Sequence, residues 1–295
     1  MKKPIVTVIG SLNMDLVTQT NSFPVQGETV IGNHFMTVPG GKGANQAVAA
    51  ARLGADVHLI GRVGDDAFGE VLLKNLTDNR VIMSNVEPVT DCATGVATII
   101  LHDHDNRIIV TPGANNYVTK EYILQHENVI LISDIVLLQM EIPLPTIEFV
   151  LELCDTSGIP VVLNPAPAHQ LSEESWQRAT YLTPNETEKE LLFGKEPSRY
   201  LREKLIVTEG KHGVSFFESG SLNRIDGWSV TPVDTTGAGD TFNGAMAVAL
   251  AEGKSLAAAI SFANAAAALS IQKLGAQGGM PTRQALEQFI TDNCP

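Results

Sequence analysis

From residue 129 onward, short apolar runs alternate with helix-length stretches, and each run ends in a polar or Gly/Pro cluster. The run 134–138 leads to Gln139-Met140-Glu141, and 160–163 leads to Asn164-Pro165-Ala166-Pro167. The run 181–183 leads to Pro184-Asn185-Glu186-Thr187-Glu188, and 205–208 leads to Glu209-Gly210. Strands separated by helices pair in parallel, because a crossover between parallel strands needs a helix-length connection. The expected class is therefore α/β, with a central, mostly parallel sheet flanked by helices. Ile5–Ile9 reads as a further buried strand and 57–60 as another. In such sheets ligands gather beyond the carboxyl ends of the strands.

Two glycine-rich turns run into helices. In the later one, Gly237-Ala238-Gly239-Asp240 precedes Phe242, Ala245, Met246, Ala249 and Leu250 at helical spacing, and Gly253 ends the run. An amphipathic helix is expected there. Its free N–H groups and dipole favour an anion such as phosphate. An Asp beside an anion cradle is what phosphoryl transfer to a hydroxyl requires: the carboxylate takes the proton while the N–H groups hold the phosphoryl. The same residues also suit a helix cap and a plain turn. At the earlier turn, Gly40, Gly41 and Gly43 open a small-residue helix closed by Gly54, with Asn45 in its first turn.

Neither turn is a standard nucleotide motif. GxGxxG is absent after Ile5–Ile9, and Gly253-Lys254-Ser255 fails the Walker pattern because Val248 occupies its first glycine position. Just beyond the first strand, Asn13 and Asp15 stand two apart. An amide and a carboxylate on one side of extended chain suit a polyhydroxylated ligand, and they also suit an Asx turn. Asn185 and Glu188, at i and i+3, share a face at a helix start. They read either as a water-mediated Mg²⁺ site or as a capping box.

Residues 16–38 form a β-prone excursion broken by Pro24, Gly27 and Gly32. A hairpin over 95–101 and 107–110, with His102 and His104 in a solvated tip, completes a candidate lid. A second hairpin is expected over 213–217 and 222–225, an alanine-rich helix over 255–271 and a terminal helix over 282–290. The loop 273–281 is short enough to lie beside Asp234 and Thr236. No repeat or linker interrupts the 295 residues, which read as one α/β domain carrying a lid from about 13–40 and 94–112.

The net charge of −13 argues against nucleic acid and anionic membrane as main partners. Cys92, Cys154 and Cys294 offer neither a disulfide framework nor a metal motif, which suits a reduced, cytoplasmic protein. The apolar run after the first residues is too short for a signal peptide, and no stretch reaches membrane-spanning length.

Over nearly its whole length the sequence resembles the ribokinase-like (PfkB) family of carbohydrate kinases. The resemblance rests on Gly40-Gly41-Lys42-Gly43-Ala44-Asn45-Gln46 and Asp234-Thr235-Thr236-Gly237-Ala238-Gly239-Asp240. Asn164-Pro165-Ala166-Pro167-Ala168 and Thr183-Pro184-Asn185-Glu186-Thr187-Glu188 support it. It implies ATP-dependent phosphorylation of the 5-hydroxyl of a small sugar, with D-ribose first and 2-deoxyribose, a nucleoside or another sugar as alternatives. A non-catalytic sugar- or nucleotide-binding regulator is the reading from another class.

By resemblance, Asp240 is the base, and Gly237, Ala238 and Gly239 form the anion hole. Asn13, Asp15, Gly40, Gly41, Lys42, Asn45 and Glu141 hold the sugar. Asn185, Thr208, Gly210, Gly213, Gly239 and Asn264 contact ATP, and Asn185 and Glu188 act on Mg²⁺ through water. Asp234, Thr236, Ser270, Lys273, Gly275 and Gly279 match a loop that binds an activating K⁺. The resemblance also implies a homodimer formed through the lid. Two departures from the resembled family stand out: the segment between Glu188 and Leu205 is shorter than the resemblance implies by roughly a dozen residues, and Gly279 stands where family members often have serine.

Overall fold

The computed structural model describes residues 3–103 and 105–293; His104 and Cys294 fall outside them. The central sheet has six strands, in the order Tyr181–Leu182, Val161–Leu163, Ile135–Leu138, Ile5–Ile9, Asp56–Gly64 and Ile82–Val89. All five pairings are parallel. The first strand of the chain lies inside the sheet, so successive connections leave from it in opposite directions. The crevice opened by that reversal lies at the strands' carboxyl ends.

Both faces of the sheet are covered, which is why its strands are apolar almost throughout. Val6, Val8, Leu59 and Leu137 face one core, shared with the helices Lys42–Arg52, Ala238–Ala251 and Leu256–Ser270. Ile9, Ile60, Val136 and Leu138 face the other, against the helix Leu144–Ser157 and its neighbours.

The helix Ala238–Ala251 departs from the amphipathic expectation. Every residue from Asp240 to Ala249 is buried, because the helix lies between its two helical neighbours and the sheet. Its alanines and Gly244 permit that close approach: a Cβ on Gly244 would meet the Ala49 side chain at 2.7 Å.

A second sheet has the order Gly32–Gly40, Asn13–Thr20, Gly95–His102, Asp105–Thr111. Two of its pairings are antiparallel, Asn13–Thr20 with Gly32–Gly40 and Gly95–His102 with Asp105–Thr111, and Asn13–Thr20 runs parallel to Gly95–His102. Asn13 begins this sheet, so Asn13 and Asp15 belong to a strand rather than to a turn.

Two elements differ from the sequence reading. The edge strand Ile82–Val89 was not expected, because Ser84, Asn85 and Pro88 break its apolar pattern; Pro88 is tolerated since the strand has only one partner. Ile206–Thr208 joins a separate antiparallel sheet with Val214–Glu218 and Ser221–Ile225. Isolated parallel bridges, Leu182 to Leu205 and Asn185 to Thr208, link it to the segment that begins with Tyr181–Leu182. The four-residue helix Arg199–Arg202 lies between the helix Glu186–Phe193 and Ile206–Thr208.

Candidate active site

The loop after Ile5–Ile9 threads between two strands' ends and the first glycine turn. Gly41 sits at φ 88°, and a Cβ there would lie 2.6 Å from the Asn13 nitrogen. A Cβ on Gly43 would lie 2.6 Å from the Gly10 carbonyl carbon. Only glycine lets the two backbones touch. Ser11 and the Lys42 N–H both donate to Glu141 Oε2, the latter at 3.1 Å, so Glu141 bridges the loop and the turn.

Asn13, expected with Asp15 to face the sugar, is fixed by Asn115. Asn115 donates from Nδ2 to Asn13 Oδ1 at 2.7 Å and to the Leu12 carbonyl at 3.1 Å, while its Oδ1 accepts from the Leu12 N–H at 2.9 Å. That leaves the Asn13 NH₂ as the group free to donate. Asp15 lies over Gly40, where a Cβ would come within 2.5 Å of both carboxylate oxygens. Burial, with Glu141 and Asp240 nearby, pushes the Asp15 carboxyl up to about 7 against the opposing pull of Lys42.

Asp240, 7% exposed, occupies the first turn of the helix Ala238–Ala251. Asn45 Nδ2 donates to its Oδ2 at 2.9 Å, and Gln46 Nε2 donates to its Oδ1 at 3.1 Å. Gln46 is held in turn by Gln139, whose Nε2 donates to Gln46 Oε1 at 2.7 Å. Burial raises the Asp240 pKa; Lys42 and the two amides oppose it, and Glu141 adds to it. The helix N-terminus favours the ionised carboxylate, and desolvation works against that.

Three of the expected site residues have partners within the protein. Asn45, expected to hold sugar hydroxyls, gives its NH₂ to Asp240 and its Oδ1 to Gln277 at 2.9 Å. Lys42 lies in the field of Asp240, Glu141, Glu188 and Asp15. Burial opposes its charge, and these four carboxylates outweigh that and raise its pKa. Of the three expected anion-hole donors, Ala238 donates its N–H to the Thr235 carbonyl at 3.2 Å. Gly237 and Gly239 face the cavity.

That cavity, about 210 Å³, is lined by Asp240, Lys42, Asn185, Glu188 and Thr208 among others. Asn185 and Glu188 form the capping box: Asn185 Oδ1 accepts from the Glu188 N–H at 2.8 Å, and Glu188 Oε2 accepts from the Asn185 N–H at 2.9 Å. The capping box fixes the carboxylate that lines the cavity. Burial raises the Glu188 pKa, opposed by that capping bond and by Lys42.

The remaining nucleotide candidates stand apart. Gly210 and Gly213 form a tight turn, the Gly213 N–H donating to the Gly210 carbonyl at 3.1 Å. Asn264 gives its Nδ2 to the Asp226 carbonyl at 2.8 Å. None of the three lines the cavity.

Asp234 ties the two loops of the expected cation site together, accepting from the Thr236 and Gly275 N–H groups at 2.9 Å each. Gly279 packs against the Ser270 carbonyl so closely that a Cβ would overlap it, which accounts for glycine at this position on this backbone. Lys273 is exposed beside them.

The sequence reading missed Ser11, Gln46, Asn115, Gln139 and Gln277 as members of the site. Gln46 stood inside the first glycine-rich stretch and Gln139 at a strand's end, so position was a signal for both. Asn115 and Gln277 carry none in their local sequence.

Comparison with known proteins gives a consistent picture. The model of the pfkB family carbohydrate kinases matches residues 3–283. A Bacillus subtilis (strain 168) ribokinase is 51% identical over 290 residues, covering 97% of this chain and 99% of the relative. A Salmonella typhimurium deoxyribokinase is 34% identical, covering 98% of this chain and 99% of its own. The structure of Arabidopsis thaliana ribokinase complexed with ribose and ATP superposes with a TM-score of 0.88 at 32% identity, covering 98% of this chain and 99% of that one.

Proposed function

Because the chain belongs to the pfkB family of carbohydrate kinases, we propose that it transfers the γ-phosphoryl group of ATP to the 5-hydroxyl of D-ribose, giving ribose 5-phosphate and ADP. The observation that carries this reading is the Asp240 carboxylate. It is buried, held by two amides, and stands at a helix N-terminus between a polar sugar end and a cavity lined by Glu188 and Lys42. A binding protein has no use for a desolvated base at that point.

In this mechanism Asn13 donates to, and Asp15 and Glu141 accept from, the sugar hydroxyls. The 5-hydroxyl then points at Asp240, which takes its proton as the oxygen attacks the γ-phosphorus and the bond to the β-phosphate oxygen breaks. Charge gathers on the transferring group, where the N–H of Gly239 and the Lys42 ammonium stabilise it. Asn185 and Thr208 hold the phosphates and nucleotide, with Gly210, Gly213 and Asn264 the outlying candidates for the base and ribose of ATP.

Mg²⁺ fits the donor set. Capping uses Oε2 of Glu188 and leaves Oε1 for a water on a cation, the mode Mg²⁺ favours. It would neutralise phosphate charge. An activating K⁺ fits the loops joined by Asp234, with carbonyls from Thr236, Ser270, Lys273, Gly275 and Gly279 as ligands.

The whole chain acts as one α/β unit in this proposal, and the four-stranded sheet is its lid, excluding water from the phosphoryl group. That sheet leaves Phe35, Ile108 and Ile109 more than half exposed, which supports a homodimer formed through it. Consumption of ATP suits the cytoplasm, as do the free thiols Cys92 and Cys154 among the described residues.

The test is ADP release with Mg²⁺ and K⁺ across ribose, 2-deoxyribose, fructose and adenosine, for the native chain and Asp240→Asn. Turnover strongest with ribose is expected. Asp240→Asn is expected to lose about 10³-fold or more in kcat while still binding ribose in calorimetry. Preference for 2-deoxyribose would move the error to Asn13 and Asp15. Residual turnover within tenfold of native would remove Asp240 as the base.

A further inference from the structure

Arg52 belongs to no part of the mechanism above, yet it begins a continuous hydrogen-bonded path to the base. Its Nε donates to Asn79 Oδ1 at 2.8 Å. Asn79 Nδ2 donates to Asn75, at 3.4 Å to Oδ1 and 2.8 Å to the main-chain carbonyl. Asn75 Nδ2 donates to Gln277 Oε1 at 2.8 Å, and Gln277 Nε2 donates to Asn45 Oδ1 at 2.9 Å. Asn45 Nδ2 donates to Asp240 Oδ2 at 2.9 Å.

The path has a direction set by its ends. A guanidinium only donates, and an ionised carboxylate only accepts. With a cation at the start and an anion at the finish, every amide between them must present oxygen toward Arg52 and NH₂ toward Asp240. Reversing any one amide would set oxygen against oxygen or NH₂ against NH₂ and lose two bonds at once. The ends therefore assign the orientation of amides whose two faces are otherwise nearly alike. Arg52 Nη1 also donates to the main-chain carbonyls of Gln277 and of Met280, the latter at 3.1 Å, which fixes the loop that carries Gln277.

We propose that Arg52 and Gln277 are positioning residues for the reaction, anchoring a one-way amide chain that keeps the NH₂ of Asn45 on the catalytic carboxylate. The inference rests on Asp240 acting as the base. Were Asn45 free to turn, its oxygen would face Asp240 inside a buried site, and the carboxylate would swing away from the hydroxyl. Gln46, held by Gln139, secures the other oxygen from the opposite side, so the base is gripped at both oxygens by amides that cannot rotate independently. The charged groups around Asp240 are Lys42, Glu141 and Asp15, and the amide chain acts in addition to their field.

Gln277→Met keeps the size of the side chain and removes its donor and acceptor without adding charge. Steady-state kinetics should show kcat lower by about tenfold and KM for ribose within about twofold, since freeing Asn45 weakens its charge-assisted bond to Asp240, and a loss of that kind changes a rate by roughly that factor. The acid limb of the kcat profile should move up, because Asn45 no longer holds its NH₂ steadily on the Asp240 carboxylate. Asn75→Leu, at a half-buried position where folding is less at risk, should shift both quantities in the same direction by less.

A variant with native kcat and native acid limb but a lowered Tm would make the chain a structural brace and overturn the proposal. The two readings separate in one experiment. A native chain without sugar-dependent ADP release overturns the kinase reading and this inference with it. Native turnover with an inert Asp240→Asn keeps the first, and Gln277→Met then decides the second.

Discussion

The two glycine-rich turns look alike in sequence and are glycine-rich for opposite reasons. At Gly40, Gly41 and Gly43 a Cβ would strike Asp15, the Asn13 nitrogen and the Gly10 backbone. Those glycines are required by protein touching protein. At Gly239 a Cβ would meet nothing within 4 Å, and its φ lies outside the left-handed region. The fold alone would accept alanine there. What glycine preserves is the space of the cavity beside Asp240. The neighbouring Gly237 is of the first kind, at φ 77° with Ala276 against it. Glycine enrichment marks a functional stretch, then, but the steric surroundings separate residues that build the site from the residue that leaves room in it.

Substitution should split along this line. Gly43→Ala forces two backbones apart under the sugar end and should destabilise the fold by about 3 kcal/mol, in the range of other strained core changes. Thermal unfolding without ligand would reveal it, and a native Tm would break the comparison. Gly239→Ala should leave Tm within about 2 °C of native, as surface changes do. It should nonetheless cut kcat/KM for ATP by about 10–100-fold, because a methyl group stands where the phosphoryl must lie. Equal damage to stability and turnover at Gly239 would put it with the other glycines.

The same contrast explains what could be read from the sequence. Five strands of the parallel sheet could be read because they are largely buried runs that end in polar clusters, whereas the half-exposed Ile82–Val89 could not. Both glycine turns could be read from the helices they open. Asp240, Asn13 and Asp15 drew notice by standing at a turn or just past a strand, although a helix cap or an Asx turn accounted for them equally well. Residues that support them from elsewhere could not be read. Asn115 lies about a hundred positions from Asn13 and Gln277 over two hundred from Asn45, and their meeting depends on tertiary packing that local pattern does not encode. The surroundings of Lys42 were hidden for the same reason: the four carboxylates around it come from four separate parts of the chain.

The sugar end offers the mildest test, and it sets stability against function. Asp15 titrates near 7 in the folded chain, against 3.8 when unfolded, chiefly because it is buried. Between those values the folded state holds a proton that the unfolded state has released. The stability Asp15 contributes is thus fully present below pH 3.8 and is lost as pH rises through about 7. Asp15→Asn removes the charge, so without ligand its Tm should exceed the native value at pH 8 by about 2–4 °C, the shift that roughly 1 kcal/mol produces in a domain of this size. The difference should shrink steadily toward pH 4. Ribose should respond the other way. An ionised Asp15 accepts from sugar hydroxyls at both oxygens, so the native KM should fall as pH rises through about 7, and the Asn variant should bind ribose weakly at every pH. A variant that gains stability at pH 8 and keeps native ribose affinity would show that Asp15 is strained by the fold and not used by the sugar. It would then join Gly43 as part of the frame, leaving Asn13 and Glu141 to carry recognition.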